Sequence, residues 1–201
     1  NFRPTAAHAI YKRYAPENGI TWDMSAGYGG RLLGAIKSFT NYIATEPCQV
    51  TYDGLNNIIR DFGKPTNLFN NNLHLEIIKS GSEEYLPDRN SIDLAFTSPP
   101  YFDCEQYSDE ETQSYIKYPT QELWLNNFLR KTIINVRMGL KDSGYMIINI
   151  ANVKSYKNLE DDTVRVCNEE GFKLKYTHRL ALSRMGSGFK YEPVFVFKKE
   201  I

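Results

Sequence analysis

The sequence has 201 residues, of which 41% are hydrophobic and 24% are charged, and its formal net charge is zero. These values are typical of a soluble globular protein with a sizeable core. They argue against a protein that coats nucleic acid through electrostatics alone, although a local basic face is compatible with them.

No apolar run approaches the roughly 18 residues of a membrane span, and no signal peptide is visible. The three cysteines, Cys48, Cys104 and Cys167, show no CxxC spacing. We therefore expect no disulfide framework and no metal site, and a reducing cytoplasmic compartment. The sequence begins with Asn1 instead of methionine, so we expect the natural chain to start earlier.

Helical and strand-like segments alternate along the chain. In order, the patterns predict helix 5–14, strand 19–25, helix 29–39, strand 42–47, helix 52–63, strand 73–80, strand 91–98, helix 120–140, strand 144–152, helix 158–172 and a final hairpin. This order predicts a Rossmann-like, doubly wound α/β fold with a mostly parallel seven-stranded sheet and a C-terminal antiparallel hairpin. No linker divides the chain, so we expect a single domain over 1–201.

A glycine-rich turn, DMSAGYGG, follows the first predicted strand and leads into a helix. Glycines let the backbone turn sharply and approach a ligand closely. Ligands of such sheets bind at the carboxyl ends of the strands. The candidate ligand-binding residues here are Asp23, Ser25, Gly27, Gly29 and Gly30, and the alternative is an ordinary tight turn.

Glu46 ends the second predicted strand. An acidic residue about 20 positions beyond a glycine turn is the usual acceptor for ribose hydroxyls in nucleotide-type sites. A solvated carboxylate at a strand end is the alternative for Glu46 taken alone. Together with the glycine turn, Glu46 favours a site for a ribose.

The polar stretch SGSEEY follows the third predicted strand. At the same sheet edge, Ser82 or Glu83 would contact an adenine ring. The alternative is a helix that begins with Ser82 as its N-cap and has acidic residues in its first turn. The residues alone leave both alternatives open.

The stretch TSPPY follows the apolar run of the fourth predicted strand. Two consecutive prolines cannot continue a central strand, because each lacks an N–H group and has a fixed φ. The strand is therefore expected to end in a stiff loop that presents Tyr101 and Phe102. The alternative is an edge strand that ends at prolines, with both aromatic residues in the core.

The glycine turn, the acidic end of the second strand and Ser98-Pro99-Pro100-Tyr101 together resemble the S-adenosylmethionine-dependent DNA amino-methyltransferases. These enzymes modify cytosine N4 or adenine N6, and their shared motif is Asp, Asn or Ser, then two prolines, then an aromatic residue. The resemblance covers nearly the whole chain. It implies S-adenosylmethionine as the cofactor, bound by the candidate residues at the ends of the first three strands, and DNA as the partner.

The resemblance also implies a role for each residue of the motif. The exocyclic amine of a base is a poor nucleophile, because its lone pair is delocalised into the ring. Acceptors aimed at its hydrogens favour a more pyramidal nitrogen, and here these would be Ser98 Oγ and the Pro99 carbonyl. Pro99 and Pro100 would hold that carbonyl rigid. Tyr101 would stack on a base flipped out of the duplex.

Several activities are compatible with this resemblance. Serine at the first position is more frequent in cytosine-N4 enzymes, so we expect cytosine N4, with adenine N6 a close second. A non-catalytic subunit that binds S-adenosylmethionine is the main alternative from another class. Methylation of RNA or of a protein glutamine amide uses similar loops, but those relatives more often have Asn or Asp at the position of Ser98.

Two further segments bear on the resemblance, one that matches the family and one that departs from it. The N-terminal segment matches the family region that cradles the methionine end of the cofactor, which makes Phe2, Arg3 and Pro4 candidates. The irregular segment 102–119 contains five acidic residues, which is unusual beside a phosphate backbone. We expect it to be either a mobile lid or a solvated surface loop.

The C-terminal hairpin contains the basic residues Arg179, Arg184 and Lys190, which flank a glycine-containing loop. That loop would reach a DNA groove. No separate target-recognition domain is evident in the sequence. We therefore expect a recognition subunit or a homo-oligomer as a further partner.

Overall fold

The computed structural model describes residues 2–64, 73–106, 108–185 and 188–200. The helices are α1 (Pro4–Tyr14), α2 (Gly30–Ser38), α3 (Gln49–Phe62), α4 (Ser114–Lys117), α5 (Gln121–Leu123), α6 (Arg130–Gly139) and α7 (Leu159–Glu169). The strands are β1 (Ile20–Asp23), β2 (Asn41–Thr45), β3 (Leu75–Ile78), β4 (Ile92–Thr97), β5 (Leu140–Asn149), β6 (Phe172–Met185) and β7 (Gly188–Lys199). Within these residues, no helix is long and apolar enough to cross a membrane.

The strands form one sheet in the order β3-β2-β1-β4-β5-β7-β6. The first five strands are parallel, and β7 is antiparallel to both β5 and β6. The predicted fold class is therefore confirmed, including the C-terminal antiparallel hairpin. From β1, strands β2 and β3 are added on one side of the sheet and β4 and β5 on the other. Open α/β sheets bind their ligands at this switch point, between β1 and β4.

Apolar side chains cover both faces of the sheet. On β5, Ile147 belongs to the core cluster that α1 and α2 cover, whereas Met146 and Ile148 belong to the cluster on the opposite face. Successive side chains of a strand point to opposite faces, so a strand buried on both sides has an unbroken apolar run. This burial fixes the register of the central strands and hence the positions of their carboxyl ends.

The long predicted helix 120–140 differs from a regular α-helix. A π-helical segment, Trp124–Leu129, joins α5 to α6. The segment buries Trp124 and Phe128, and the Trp124 indole N–H donates to Ser114 Oγ at 3.2 Å. Such segments often occur beside functional sites, and Phe128 lines the cleft described below.

Candidate active site

A cleft with a free volume of about 230 Å³ opens at the carboxyl ends of the strands. Its walls contain most of the candidate residues, namely Ser25, Gly27, Glu46, Ser82, Glu83, Ser98, Pro100 and Tyr101. The other four candidates, Asp23, Gly29, Gly30 and Pro99, do not line it. The topology thus brings four separate stretches of the sequence to one cavity.

Glu46 and the glycine turn are joined directly. Glu46 Oε2 accepts a hydrogen bond from the Gly27 N–H at 3.1 Å, and Oε1 accepts one from the Cys48 N–H at 3.0 Å. Gly27 has a φ of +55°, and an added Cβ would meet nothing within 4 Å, so the turn is open to a ligand at this point. The two donors orient the carboxylate and leave oxygen lone pairs available.

The ionisation of Glu46 is sensitive to its surroundings. Burial raises the pKa of this carboxyl group to about 7, although the N–H donors of Cys48 and Gly27 act in the opposite direction. Hydrogen bonds donated by a ligand favour the charged form of a carboxylate. A ligand with hydroxyl donors would therefore lower the pKa of Glu46 when it binds.

Asp23 lies in an internal network instead of the cleft wall. Its side chain is fully buried, and Oδ2 accepts from Arg31 Nε at 2.8 Å and from the Tyr42 hydroxyl at 2.6 Å. Oδ1 accepts from the Ser25 N–H at 3.2 Å. The expected direct contact between Asp23 and a ligand does not agree with this position, because the carboxylate is engaged in holding the turn.

Gly29 and Gly30 serve the packing of helices. Gly29 has a φ of +82° and is the N-cap of α2, and an added Cβ would lie 2.7 Å from the Ile58 side chain on α3. Gly30 is buried as the first residue of α2. Gly29 therefore allows α2 to begin close to α3, and neither glycine lines the cleft, which does not agree with their expected contact with a cofactor.

The segment after β3 lines the cleft as a turn. It does not begin a helix, so the alternative of Ser82 as an N-cap is wrong. Ser82 Oγ bonds to Thr132 Oγ1 at 2.8 Å. Glu83 Oε1 accepts from Lys117 Nζ at 2.7 Å, whereas the buried Oε2 has no hydrogen-bond partner among the described residues. An unpartnered carboxylate oxygen in a cleft wall suits a ligand that donates a hydrogen bond.

Ser98 follows the end of β4 directly, as the two prolines predicted. Its hydroxyl donates to Asn149 Oδ1 at 3.3 Å. Pro100 lines the cleft, whereas the Pro99 residue is buried and does not line it. The role of the Pro99 carbonyl as an acceptor stays a prediction.

The hydroxyl of Tyr101 is held by two acceptors from different strands. It lies 3.1 Å from Glu192 Oε2 and 3.2 Å from Asn149 Oδ1. Burial, followed by the nearby Glu192 carboxylate, raises the pKa of this hydroxyl, so it remains protonated and donates. Asn149 Nδ2 donates to the Pro193 carbonyl at 2.9 Å, which orients Oδ1 toward Ser98 and Tyr101.

Sequence reasoning missed Asn149, Glu192 and Arg31. Asn149 ends β5 at the same sheet edge as Ser98, so a polar residue at the end of the fifth predicted strand was the available signal. Glu192 is the one acidic residue within the hairpin strands β6 and β7. No pattern in the sequence showed that Arg31 would reach back to Asp23, because that contact depends on the tight start of α2.

At the N-terminus, only one of the three candidates lines the cleft. Phe2 is buried and packs edge-on against Phe96, with ring centroids 5.2 Å apart. Arg3 donates a hydrogen bond to the Leu182 carbonyl, and Pro4 begins α1. The chain before α1 therefore connects the cleft to the hairpin.

The acidic segment that follows Tyr101 crosses to the start of α3. Glu110 Oε1 accepts from the Gln49 N–H at 3.1 Å, and Gln113 and Ser114 line the cleft. Cys104 is exposed within this segment, whereas the other two cysteines are buried. The described residues of this segment therefore contribute to the cleft wall, and its role as a lid stays a prediction. Within the described ranges, no group of three or more His, Cys, Asp or Glu residues could hold a metal ion.

No protein-family model and no curated protein matches the sequence. Solved structures do match. A SAM-dependent methyltransferase from Methanosarcina mazei aligns with a TM-score of 0.68 and 12% identity over 96% of this chain and 97% of that one. A TehB-like SAM-dependent methyltransferase from Corynebacterium glutamicum gives a TM-score of 0.63 and 14% identity over 100% and 89% of the two chains.

A third similar structure contains bound ligands. It is 1,6-didemethyltoxoflavin-N1-methyltransferase from Burkholderia thailandensis with 1,6-didemethyltoxoflavin and S-adenosylhomocysteine, with a TM-score of 0.67 and 11% identity over 98% of this chain and 78% of that one. At such identities, likeness establishes the fold and nothing finer. The chain therefore has the fold found in these methyltransferases.

Proposed function

We propose that this chain transfers a methyl group from S-adenosylmethionine to the exocyclic amine of a base in DNA, cytosine N4 in preference to adenine N6. One observation carries the proposal. The Ser98-Pro99-Pro100-Tyr101 segment borders the same cleft as the Gly27 turn and Glu46. A cofactor site and a motif suited to an amine substrate thus share one cavity at the carboxyl edge of the sheet.

The residues of the cleft fit the cofactor. Glu46 offers oriented carboxylate oxygens to ribose hydroxyls, and the open backbone at Gly27 allows close approach. The unpartnered Oε2 of Glu83 suits the amino group of an adenine ring. The similar structure with bound S-adenosylhomocysteine supports the assignment. When bound, the cofactor supplies an electrophilic methyl group on a sulfonium.

The contacts of Ser98 suit it to act on an amine. Its proton is directed to Asn149 Oδ1, so the lone pairs of Oγ remain free to accept an N–H from the target amine. Acceptance of this hydrogen bond makes the amine lone pair more available. Glu192 adds a negative charge to the same cleft wall, which stabilises the positive charge that develops on the amine nitrogen.

Tyr101 provides an aromatic face whose position is fixed. Its hydroxyl is bonded to Glu192 and Asn149, so the ring is held at the cleft wall before a base arrives. A preorganised ring loses little conformational freedom when a flipped base stacks on it. The preference for cytosine N4 depends on the family resemblance of Ser98.

The test is to incubate the protein with methyl-labelled S-adenosylmethionine and duplex DNA, digest the DNA and identify the labelled nucleoside. We expect N4-methylcytosine, with N6-methyladenine as the second outcome. Ser98→Ala is the reduced-activity control, and Lys12→Gln, on the exposed surface of α1, is the matched neutral control.

Other outcomes of the same experiment distinguish the alternatives. Label in RNA or in a protein amide, and none in DNA, would replace the DNA assignment. Binding of the cofactor in calorimetry without transfer to any substrate would support a non-catalytic subunit. Absence of cofactor binding would remove the proposal entirely.

A further inference from the structure

Although the net charge of the chain is zero, basic and acidic residues are distributed unequally between the C-terminal hairpin and the rest of the chain. Strands β6 and β7, with the turn between them, contain one acidic residue, Glu192. The basic residues of the same stretch are Lys173, Lys175, Arg179, Arg184, Lys190, Lys198 and Lys199. Because the whole chain has 24 basic and 24 acidic residues, the remainder has a matching acidic excess. The hairpin is therefore the basic part of an otherwise acidic protein.

The distal half of the hairpin extends beyond the sheet at the cleft. Pairing between β5 and β7 ends with Asn149 opposite Val194, at the carboxyl end of β5. Pairing between β6 and β7 continues past that point to Met185 and Gly188. We call residues 179–185 and 188–193 the hairpin arm. The end of the arm nearest the sheet contributes Leu180 and Glu192 to the cleft wall, so the arm begins at the candidate active site.

Two large aromatic side chains on the arm are exposed. Phe189 is 55% exposed and Tyr191 is 49% exposed. They are two positions apart on β7, so they lie on the same face, and their ring centroids are 6.3 Å apart. Exposed apolar groups that lie together are characteristic of interaction surfaces, and aromatic rings can stack on flat groups of a ligand.

Two cations lie close to these rings along the arm, one on each face of β7. Arg179 lies opposite Pro193 in the register, on the same face as Tyr191, whereas Lys190 lies between the two aromatic residues in sequence and hence on the opposite face, together with Glu192. Both are exposed, and neither forms an ion pair within the described part of the chain. Basic residues on an edge strand also discourage pairing between sheets. That function does not account for the exposed rings on β7.

We propose that the hairpin arm binds the DNA substrate beside the cleft, with Arg179 and Lys190 on phosphates and with Phe189 and Tyr191 stacked on unpaired bases. This inference rests on the proposed function and adds where the DNA is held. Aromatic stacking combined with cations is the usual chemistry of single-strand recognition. A base must leave the duplex to reach the cleft, so unpaired bases are present next to the arm.

The test measures the fluorescence anisotropy of a labelled single-stranded oligonucleotide, with the same sequence as a duplex and as RNA for comparison. Two double variants remove the two kinds of contact: Phe189→Ala with Tyr191→Ala, and Arg179→Gln with Lys190→Gln. The matched control is Lys12→Gln with Lys37→Gln, exposed residues in the last turns of α1 and α2 that are not part of the arm. Circular dichroism and thermal unfolding verify that each variant folds.

The two variants are expected to differ in salt dependence. The aromatic variant should bind single-stranded DNA about tenfold or more weakly with an unchanged salt slope, since stacking contributes roughly 1–3 kcal/mol per base. The cation variant should weaken binding at low salt and reduce the slope of log K against log salt by about 1.4, since each phosphate contact on a single strand contributes roughly 0.7. The control should bind as the wild type does.

Equal binding by the wild type and both arm variants would overturn the inference, as would tighter binding to the RNA or the duplex than to single-stranded DNA. These results leave the proposed function intact, because methyl transfer is measured separately. Conversely, the arm variants could lose DNA binding while neither the wild type nor any variant transfers a methyl group. That result would support DNA binding by the arm and contradict the proposed function.

Discussion

Tyr101 Oη lies 3.1 Å from Glu192 Oε2, so the aromatic residue of the SPPY segment is bonded to a strand of the C-terminal hairpin. A tyrosine hydroxyl has one proton, and it is shared here between a carboxylate and the amide oxygen of Asn149. The hydrogen bond joins the ring of Tyr101, on which we propose that the flipped nucleobase stacks, to the end of the hairpin arm that is nearest the cleft. The position of the ring therefore depends on the position of the hairpin.

We expect Tyr101→Phe to lower methyl transfer a few-fold, because the ring remains but its anchor is lost. Tyr101→Ala should lower retention of the flipped base further, since stacking contributes about 1–3 kcal/mol per base. A double-mutant cycle with Glu192→Gln, followed by single-turnover methylation, measures the coupling. We expect at least about 0.5 kcal/mol for residues in direct contact. Additive effects would show that the hydrogen bond does not position the ring.

Ser98→Ala should reduce the chemical step and leave cofactor binding unchanged. The lost acceptor matters most when the amine nitrogen becomes nucleophilic, so the effect falls on kcat. The reduction should be partial, since other acceptors at the cleft remain. Single-turnover methylation at saturating cofactor measures the rate, and calorimetry with S-adenosylhomocysteine provides the control. A native rate in this variant would assign Ser98 a structural role only.

Affinity for S-adenosylhomocysteine should rise with pH up to about 7 and then level off. The pKa of the Glu46 carboxyl group is raised to about 7, so below this pH the carboxyl group is mostly protonated when no ligand is bound. Ribose hydroxyls bind the ionised form more strongly, so binding at pH 6 must release a proton. Calorimetry in two buffers with different ionisation enthalpies counts the protons released.

Glu46→Gln supplies the control for this pH dependence. The variant should bind more weakly, by roughly 1–3 kcal/mol, because it loses charge-assisted hydrogen bonds. Its affinity should also be constant between pH 5 and 8. An affinity of the native protein that falls as the pH rises through 7 would show that the ligand prefers the protonated carboxyl group.

Breaking the ion pair between Asp23 and Arg31 should destabilise the fold strongly. Arg31 Nε lies 2.8 Å from Asp23 Oδ2, and both side chains are almost fully buried. Removal of one partner leaves an uncompensated buried charge, which costs about 3–5 kcal/mol. Urea unfolding of Asp23→Asn and Arg31→Met measures the loss. Asp61→Asn, in the exposed Arg60–Asp61 pair, is the matched control and should leave the unfolding midpoint unchanged.

The element order and the sheet edge that holds the site could be predicted from the sequence, because hydrophobic periodicity and glycine and proline positions are local signals. The same local signals placed Gly27, Glu46 and Ser98 at one edge. They could not separate Gly27, which faces the cleft, from Gly29, which faces α3. That difference depends on how two helices pack, which no single stretch of sequence contains.

The charge of the hairpin shows a second limit. Net charge is a sum over the chain, and it is zero because the acidic excess of the rest of the chain offsets the basic strands. The basic residues were visible, but their concentration on two paired strands beside the cleft became clear only from the register of β6 and β7. Spatial arrangement, and not composition, determines whether such residues act together.

The exposure of Cys104 has a practical consequence. It is the accessible thiol among the three cysteines, and it lies between Tyr101 and Glu110, within the segment that contributes Glu105 and Gln113 to the cleft wall. A thiol-specific fluorophore would therefore attach at one known position without any engineered substitution. The signal of that fluorophore would report whether the surroundings of this segment change when a ligand binds in the cleft.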